Sequence, residues 1–294
     1  MRGFSARSRF HYWEAASASR PLYLKCSMYS PLIINTTYPN SQQSNSLSNP
    51  HPDMSSAVAK FRCIGKGFCG SVWALESNEA GTAIKREDGG PGRSITNDYN
   101  MHIRVQRGSY EYLQPSTPLS IPKCQQLVEA ADPWWETRLA QFSAGYSACR
   151  SLVSERIPAV PRAVSDKVVE LFCEGNTKLS DFVKSNPDDY SCLIRPYLGR
   201  RRHHKQGASN SRFQRSSLRN VPLHVDQMQA LGLDTKAYAE TMADALALMH
   251  WVAEIDANDV EFVLAPPRED QSSEKPVFQS ECLRRHSMWI LDFD

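Results

Sequence analysis

The chain lacks the features that mark several common classes of protein. Its 294 residues contain no run of about 18 apolar residues, so we expect no membrane-spanning helix and no membrane partner. The formal net charge is only +2, which argues against a nucleic-acid or membrane-surface binder as a description of the whole protein. A hydrophobic content of 41% is ordinary for a globular chain of this length.

Paired cysteines are also absent. The eight cysteines lie at irregular spacings and none forms a C-x-x-C pair, so the sequence predicts neither a disulfide framework nor a zinc site. Scattered cysteines without a secretory signal are typical of a reducing compartment. We therefore expect an intracellular protein, either cytoplasmic or nuclear.

Residues 1–57 lack hydrophobic periodicity. Ser, Asn, Gln and Pro dominate from 27 to 56, which indicates a disordered low-complexity tail. The arginines and serines near the start resemble a mitochondrial transit peptide, but Glu14 and the missing amphipathic repeat argue against one. The segment is expected to be a disordered extension or a start-site artefact.

A glycine-rich motif followed by a lysine is the most informative feature that the chain does have. Gly65, Gly67 and Gly70 form G-x-G-x-x-G, Val72 follows, and Lys85 ends an A-x-K thirteen residues after Val72. Glycines let backbone amides approach phosphate oxygens, and a lysine on a neighbouring strand can pair with those oxygens. A lone glycine motif is weak evidence, but this order is that of a protein kinase and predicts a nucleotide site.

Hydrophobic patterns place this motif within a small sheet and helix. The predicted elements are strands at 61–64, 71–75, 82–86 and 152–157 and a helix that begins near Thr96 and runs through Val105. Asp98 lies in the predicted helix and is the best acidic partner for Lys85. A second helix is predicted after Asp234, with apolar residues at a 4-3-4-3 spacing typical of a core-facing helix.

A basic insertion interrupts the second half of the chain at 199–220. It contains seven lysines and arginines between Arg200 and Arg219 and no acidic residue. Such a stretch is consistent with a nuclear-import or anion-binding patch, and also with an ordinary solvated loop.

Three carboxylates follow the second helix in an order that suits phosphoryl transfer. That reaction needs bound phosphates, a metal held by oxygen ligands, and an oriented hydroxyl nucleophile. Asp256 and Glu261 form D-x-x-x-x-E, compared with D-x-x-x-x-N in the kinase catalytic loop. An apolar strand is predicted at 288–291, and directly after it Asp292 opens a D-F-D where kinases have D-F-G. We expect Asp256 to accept the hydroxyl proton and Glu261 and Asp292 to bind Mg²⁺.

Together these motifs resemble the protein-kinase fold. Residues 58–294 also resemble a fungal family of uncharacterised proteins whose members are often labelled zinc finger proteins. The segments that carry this resemblance are 154–157, 198–201, 245–251, 255–264 and 289–293. The Cys and His spacing does not support a zinc site.

The kinase resemblance implies an α+β, bilobal fold. Residues 58–160 would form an N-lobe of antiparallel sheet plus helix, and 161–294 a partial C-lobe with a catalytic-loop-like segment at 250–264. The three glycines and Val72 would cover the phosphates of ATP, Lys85 would pair with the α- and β-phosphates, and Glu155 would lie at the adenine hinge. Because the chain stops two residues after Asp292, we expect an incomplete C-lobe, from a truncated gene model or a fragment, with exposed apolar surface and marginal stability.

Three functions follow as hypotheses. The first is an ATP- and Mg²⁺-dependent phosphotransferase, impaired or inactive in this form, whose phosphoryl acceptor the sequence does not identify. The second is a pseudokinase-like module that binds nucleotide or a protein partner without turnover. The third is a nucleic-acid- or zinc-associated regulator, based on the family label and the basic insertion, although neither zinc nor nucleic acid is expected from composition.

Overall fold

A computed structural model describes residues 59–67, 70–76, 81–90, 94–173, 175–186, 191–201, 220–268 and 276–293. The predicted tail and nearly all of the basic insertion lie outside these residues, and what the sequence predicts for them stays a prediction. The described residues belong to one unit, Ser55–Asp294.

Strands and helices alternate irregularly along the chain, as in other α+β folds. In order they are β1 (Phe61–Lys66), β2 (Ser71–Leu75), β3 (Thr82–Arg86), α1 (Ile95–Tyr112), β4 (Leu119–Ser120), β5 (Cys124–Val128), β6 (Ser151–Glu155), α2 (Arg162–Cys173), α3 (Thr177–Ser185), β7 (Leu193–Tyr197), β8 (Asn220–His224), α4 (Val225–Ala230), α5 (Thr235–Ala247), a π-helical turn (Leu248–Val252), β9 (Glu261–Ala265), β10 (Phe278–Ser280) and β11 (Arg284–Leu291). Within the described ranges, no helix is both long and apolar enough to cross a bilayer.

The first sheet confirms the strands predicted around the glycine motif. Its five strands have the order β1-β2-β3-β6-β5, and every neighbouring pair is antiparallel. Helix α1 follows β3 and packs against β5 and β6. The predicted strand at 152–157 ends at Glu155, two residues earlier than predicted.

An aromatic cluster covers part of the first sheet. Trp73, Ile84 and Val153 contribute buried side chains from β2, β3 and β6. Trp135 and Phe142, from the segment between β5 and β6, pack against the same face. This packing fixes the sheet that carries the glycine motif and Lys85.

The second sheet has the order β10-β11-β9-β7-β8, and β4 pairs with β11 to make six strands. Strands β9 and β11 are antiparallel and place Leu291 opposite Glu261. The predicted apolar strand at 288–291 is longer than expected, since β11 begins at Arg284. Its buried residues, from His286 to Ile290, form the centre of this half of the molecule.

Helix α5 confirms the second predicted helix and its cap, because the Asp234 carboxylate accepts a hydrogen bond from Ala237 N at 3.0 Å. Tyr238 and Ala245 are buried, and Tyr238 Oη lies 2.6 Å from His286 Nε2 of β11. Met249 is fully buried in a cluster with Val105 of α1. The apolar stripe of α5 is therefore covered by the second sheet and α1, contrary to the expectation, although Phe182 and Trp251 of the C-terminal half are exposed.

Candidate functional site

A cleft with a cavity volume of about 150 Å³ lies where the two sheets meet. Its apolar lining comes from both sides of the cleft. The first side contributes Ile64, Val72, Ala83, Leu152 and Ile157, and the second contributes Leu193 and Leu291. Lys85, Asp98 and Asp292 place charged groups in the same cleft. An apolar cleft with a few convergent polar groups is the usual form of a small-molecule site.

The glycine motif forms the connection between β1 and β2 at this cleft. Gly65 lies opposite Val72 in the ladder, and Gly67 N donates to Gly70 O at 2.9 Å. Gly70 has a φ of +143°, and a Cβ there would lie 1.9 Å from the carbonyl oxygen of Arg86. Glycine is therefore required at position 70 by both backbone conformation and space.

Lys85 is held between two carboxylates from different parts of the chain. Its Nζ donates to Asp98 Oδ2 at 2.6 Å and to Asp292 Oδ1 at 2.9 Å. The Lys85 and Asp98 side chains are 15% and 4% exposed, whereas Asp292 is 38% exposed. Burial alone would lower the pKa of Lys85, but Asp98 and Asp292 outweigh it and raise that pKa, so the lysine stays cationic.

Asp292 reaches the cleft through an unusual backbone conformation. Its φ is +58°, in the left-handed region that Asp adopts more readily than most residues. Directly after it, Phe293 N donates to Asp98 Oδ1 at 3.3 Å, and the Phe293 ring stacks on His102 with centroids 4.4 Å apart. The segment at 292–293 is thus tied to α1 by both a hydrogen bond and a ring contact.

His102 is a site residue that sequence reasoning missed. It lies one helical turn after Asp98, and its Nε2 is 2.7 Å from the carbonyl oxygen of Pro122. Burial lowers the pKa of His102, although the Pro122 bond and Asp98 oppose that change. The signal in the sequence was its spacing of four from Asp98, which places both on one face of α1.

Glu261 lies beside Asp292 but already has a cationic partner. Arg195 of β7 donates to Glu261 Oε1 at 2.8 Å. Burial raises the pKa of Glu261, Arg195 opposes that rise, and the nearby Asp292 adds to it. Glu261 lies opposite Leu291, the residue before Asp292, but it is not among the residues that line the cleft, and its ion pair with Arg195 is one that the sequence did not predict.

Asp256 is not among the residues that line the cleft. It lies on an exposed turn after the π-helical turn, and its Oδ1 accepts a hydrogen bond from Asn258 N at 3.1 Å. Buried Ala253 and Ile255 anchor the chain just before it. The Asp256 carboxylate thus caps a turn in this structure.

Glu155 lines the cleft as predicted, but its carboxylate is held by protein groups. It accepts hydrogen bonds from Arg268, whose Nη2 lies 2.6 Å from Oε2, and from Lys123 N at 2.8 Å. Arg268 also donates to the Ile121 carbonyl at 3.0 Å and lies 5.2 Å from the Trp289 ring centroid. The carboxylate of Glu155 therefore joins the two sheets at the rear of the cleft.

The carboxylates present suit a magnesium ion bound together with phosphates. Over the described part of the chain, no three His, Cys, Asp or Glu side chains gather into a metal-ligand group. Mg²⁺ commonly takes one or two protein carboxylates and completes its coordination with water and phosphate oxygens. Asp292 and Glu261 match that donor set in number and chemistry.

In comparisons with known proteins, no family model, no curated protein and no solved structure matches this chain.

Proposed function

We propose that this chain has a protein-kinase-like bilobal fold and binds ATP with Mg²⁺ in the cleft. The observation that carries the proposal is the placement of Lys85 between Asp98 and Asp292 in an apolar cleft whose lining includes Ile64 and Val72, the residues that flank the glycine motif. The first sheet with α1 would be the N-lobe, and the second sheet with α2–α5 would be the C-lobe. The kinase resemblance implies an antiparallel sheet plus a helix for the N-lobe, and the five-stranded antiparallel sheet with α1 supports the proposal.

The lining of the cleft divides into parts that suit a nucleotide. Ala83, Leu152 and Leu291 offer apolar surface for a base, and the chain at 154–157 lies along the same cleft. The glycine turn and Lys85 would hold the phosphates. Asp292, with Glu261, would hold Mg²⁺, which neutralises phosphate charge when it is bound.

The charges also suit a ligand that brings both phosphate and metal. Lys85 has two carboxylate partners, so its immediate surroundings carry surplus negative charge. A phosphate oxygen can take the place of Asp292 at Lys85, which leaves Asp292 available to the metal while Asp98 keeps the lysine in position. Asp292 is more exposed than Asp98, which supports the exchange of Asp292, and not of Asp98, for a phosphate oxygen at Lys85.

Phosphoryl transfer is the reaction that such a site would perform. The oxygen of an acceptor hydroxyl attacks the γ-phosphorus, the bond from that phosphorus to the β,γ-bridging oxygen breaks, and its electron pair leaves with ADP. The hydroxyl proton passes to the carboxylate of Asp256, the base that the catalytic-loop-like segment supplies.

Nucleotide binding without turnover is the second candidate. It is favoured by the exposed position of Asp256 outside the cleft lining and by the ion pair that engages Glu261. Asp256→Asn separates the two functions. Under the transfer proposal, this variant keeps ATP affinity and loses phosphoryl transfer, whereas a non-catalytic protein shows no transfer before or after the change.

A thermal-shift experiment on the full chain tests nucleotide binding. A ligand that binds only the folded state raises the unfolding midpoint by mass action. We expect ATP with Mg²⁺ to raise the midpoint of the wild type more than ATP alone. Lys85→Met should lose this rise, since the phosphates lose their cation.

The control for this experiment is Lys178→Ala, which removes the same charge from an exposed position on α3. Circular dichroism establishes that each variant is folded before its midpoint is compared. An equal response to nucleotide in the wild type and in folded Lys85→Met would rule out the cleft as the binding site.

A further inference from the structure

Strand β7 leads from the cleft to a cationic surface. Successive side chains on a strand point to opposite faces, so Leu193, Arg195 and Tyr197 share one face while Ile194 and Pro196 are buried on the other. Leu193 lines the cleft, and Arg195 follows at roughly 7 Å along the strand. This face of β7 therefore connects the cleft lining at Leu193 to Arg195, the partner of Glu261, and to Tyr197.

Tyr197 gathers two guanidinium groups on this surface. The Cζ of Arg195 lies 5.4 Å from the centroid of its ring and that of Arg200 lies 5.9 Å away. Guanidinium groups are attracted to aromatic faces, and the ring thus holds two like charges near each other. Such an arrangement creates a local excess of positive charge.

Only one of the two arginines is neutralised by a carboxylate. Arg195 pairs with Glu261, whereas none of the described carboxylates lies within ion-pair distance of Arg200. Arg200 is exposed, and its backbone is fixed because its carbonyl accepts a hydrogen bond from Val225 N at 2.9 Å. The guanidinium of Arg200 is thus anchored by its own main chain and open to an anion.

We propose that Arg195, Tyr197 and Arg200 form a subsite for a phosphate monoester group carried by the phosphoryl acceptor. The acceptor would be a hydroxyl compound that is already phosphorylated. A guanidinium group binds phosphate oxygens in a bidentate manner, which favours this anion over a single-point partner such as a chloride ion. This inference rests on the proposed function, because it names the acceptor class for the same site.

The subsite has the position that an acceptor requires. Arg195 contacts Glu261 directly, and Glu261 lies opposite Leu291, the residue before Asp292. An acceptor whose phosphate is held at Arg200 can extend its hydroxyl along β7 toward Asp292. Lys85 would then bind the phosphates of the nucleotide, and Arg200 would bind the phosphate that the acceptor already carries.

Binding of two phosphate-bearing probes to the full chain tests the subsite. Isothermal titration calorimetry with glycerol 3-phosphate and with a serine-phosphorylated decapeptide is performed in excess ADP and Mg²⁺, which fill the nucleotide cleft. Glycerol and the unphosphorylated peptide serve as the uncharged probes. We expect both phosphorylated probes to bind, and Arg200→Gln to weaken them roughly tenfold, because one charge-assisted contact is lost.

The matched control is Arg107→Gln, which removes the same charge from an exposed position on α1 and should leave the affinities unchanged. Tyr197→Leu, which removes the ring shared by the two guanidinium groups, should weaken binding as well. A phosphopeptide that binds much more tightly than glycerol 3-phosphate identifies a phosphoprotein acceptor, and comparable affinities identify a small molecule.

The outcomes also separate this inference from the proposed function. Equal affinity in wild type and Arg200→Gln, with the ATP-dependent midpoint shift intact, overturns the phosphate subsite and leaves nucleotide binding standing. Equal affinities for the phosphorylated and the unphosphorylated probes would also overturn the phosphate subsite. Absence of the nucleotide shift in the wild type overturns the proposed function and, with it, the assignment of this surface to an acceptor.

Discussion

Two charge clusters contribute side chains to the lining of the cleft, and they are built differently. At the front, Lys85 is shared by Asp98 and Asp292, two carboxylates for one cation. At the rear, Arg268 pairs with the carboxylate of Glu155, one cation with one carboxylate among the residues that the structure describes. We call these the front cluster and the rear pair.

The rear pair is satisfied by the protein alone. Both its side chains are about equally buried, at 15% and 14% exposure, and main-chain groups at Ile121 and Lys123 take further hydrogen bonds. The front cluster has surplus negative charge, a half-exposed Asp292 and a backbone in the left-handed region. The rear pair thus has the character of a structural ion pair, whereas we propose that the front cluster receives a metal ion and a phosphate.

Breaking the rear pair should have the largest effect on stability. Arg268→Ala leaves the Glu155 carboxylate buried without its cation, which typically costs about 3–5 kcal/mol. Urea denaturation should show that loss, and Arg285→Ala, an exposed arginine on β11, should show almost none. The double variant Glu155→Gln/Arg268→Met should recover most of the stability. A midpoint for Arg268→Ala equal to that of wild type would mean that the rear pair does not maintain the fold.

Changing the front cluster should affect ligand binding more than stability. Asp292→Asn leaves Lys85 paired with Asp98, so the free energy of unfolding should change by less than about 1 kcal/mol. Its affinity for ATP in Mg²⁺ should fall at least about tenfold, since a metal carboxylate is lost. Titration calorimetry and urea denaturation measure the two quantities. A large loss of stability with unchanged affinity would make the front cluster structural, like the rear pair.

The glycine turn offers a matched pair of substitutions at the front of the cleft. Gly70→Ala places a Cβ against the Arg86 carbonyl in a conformation that Ala adopts poorly, and should cost about 1–3 kcal/mol. Gly67→Ala meets no atom within 4 Å and should be tolerated. Thermal unfolding of both variants compares them directly. Equal midpoints would show that the turn does not need glycine at position 70.

The smallest expected effect is a pH dependence from His102 at the front. Its pKa is lowered by burial, so the unfolded chain takes up a proton at a pH where the folded chain does not. Stability should therefore fall as the pH drops through the ordinary histidine range near about 6.5. His102→Phe keeps the ring contact with Phe293 and should make the decline shallower. His286, also buried with a lowered pKa, would still contribute, and an unchanged slope would exclude His102 as a cause.

Local patterns predicted the front of the cleft well. The glycine turn, the strand lysine and the helix that carries Asp98 each follow from residue type and spacing over a few positions. Asp292 was found because it follows an apolar strand. These features depend on short stretches of sequence, which is why they could be predicted without a structure.

The rear pair and the ion pair of Arg195 with Glu261 could not be predicted in this way. Glu155 and Arg268 are 113 residues apart in sequence, and nothing local indicates that they meet. The same holds for Arg195 and Glu261, which meet only when β7 pairs with β9. The D-x-x-x-x-E motif predicted that Asp256 accepts the hydroxyl proton. The position of its carboxylate, however, depends on the conformation of the exposed turn that carries it.

The most direct test of the account is the affinity of the full chain for ATP, measured by titration calorimetry with and without Mg²⁺ in wild type and Asp292→Asn. We predict that Mg²⁺ tightens binding to the wild type and that this gain is absent in the variant, while both proteins remain folded. If the folded wild type binds no ATP, or if Mg²⁺ tightens binding equally in both proteins, the front cluster is not a metal–nucleotide site.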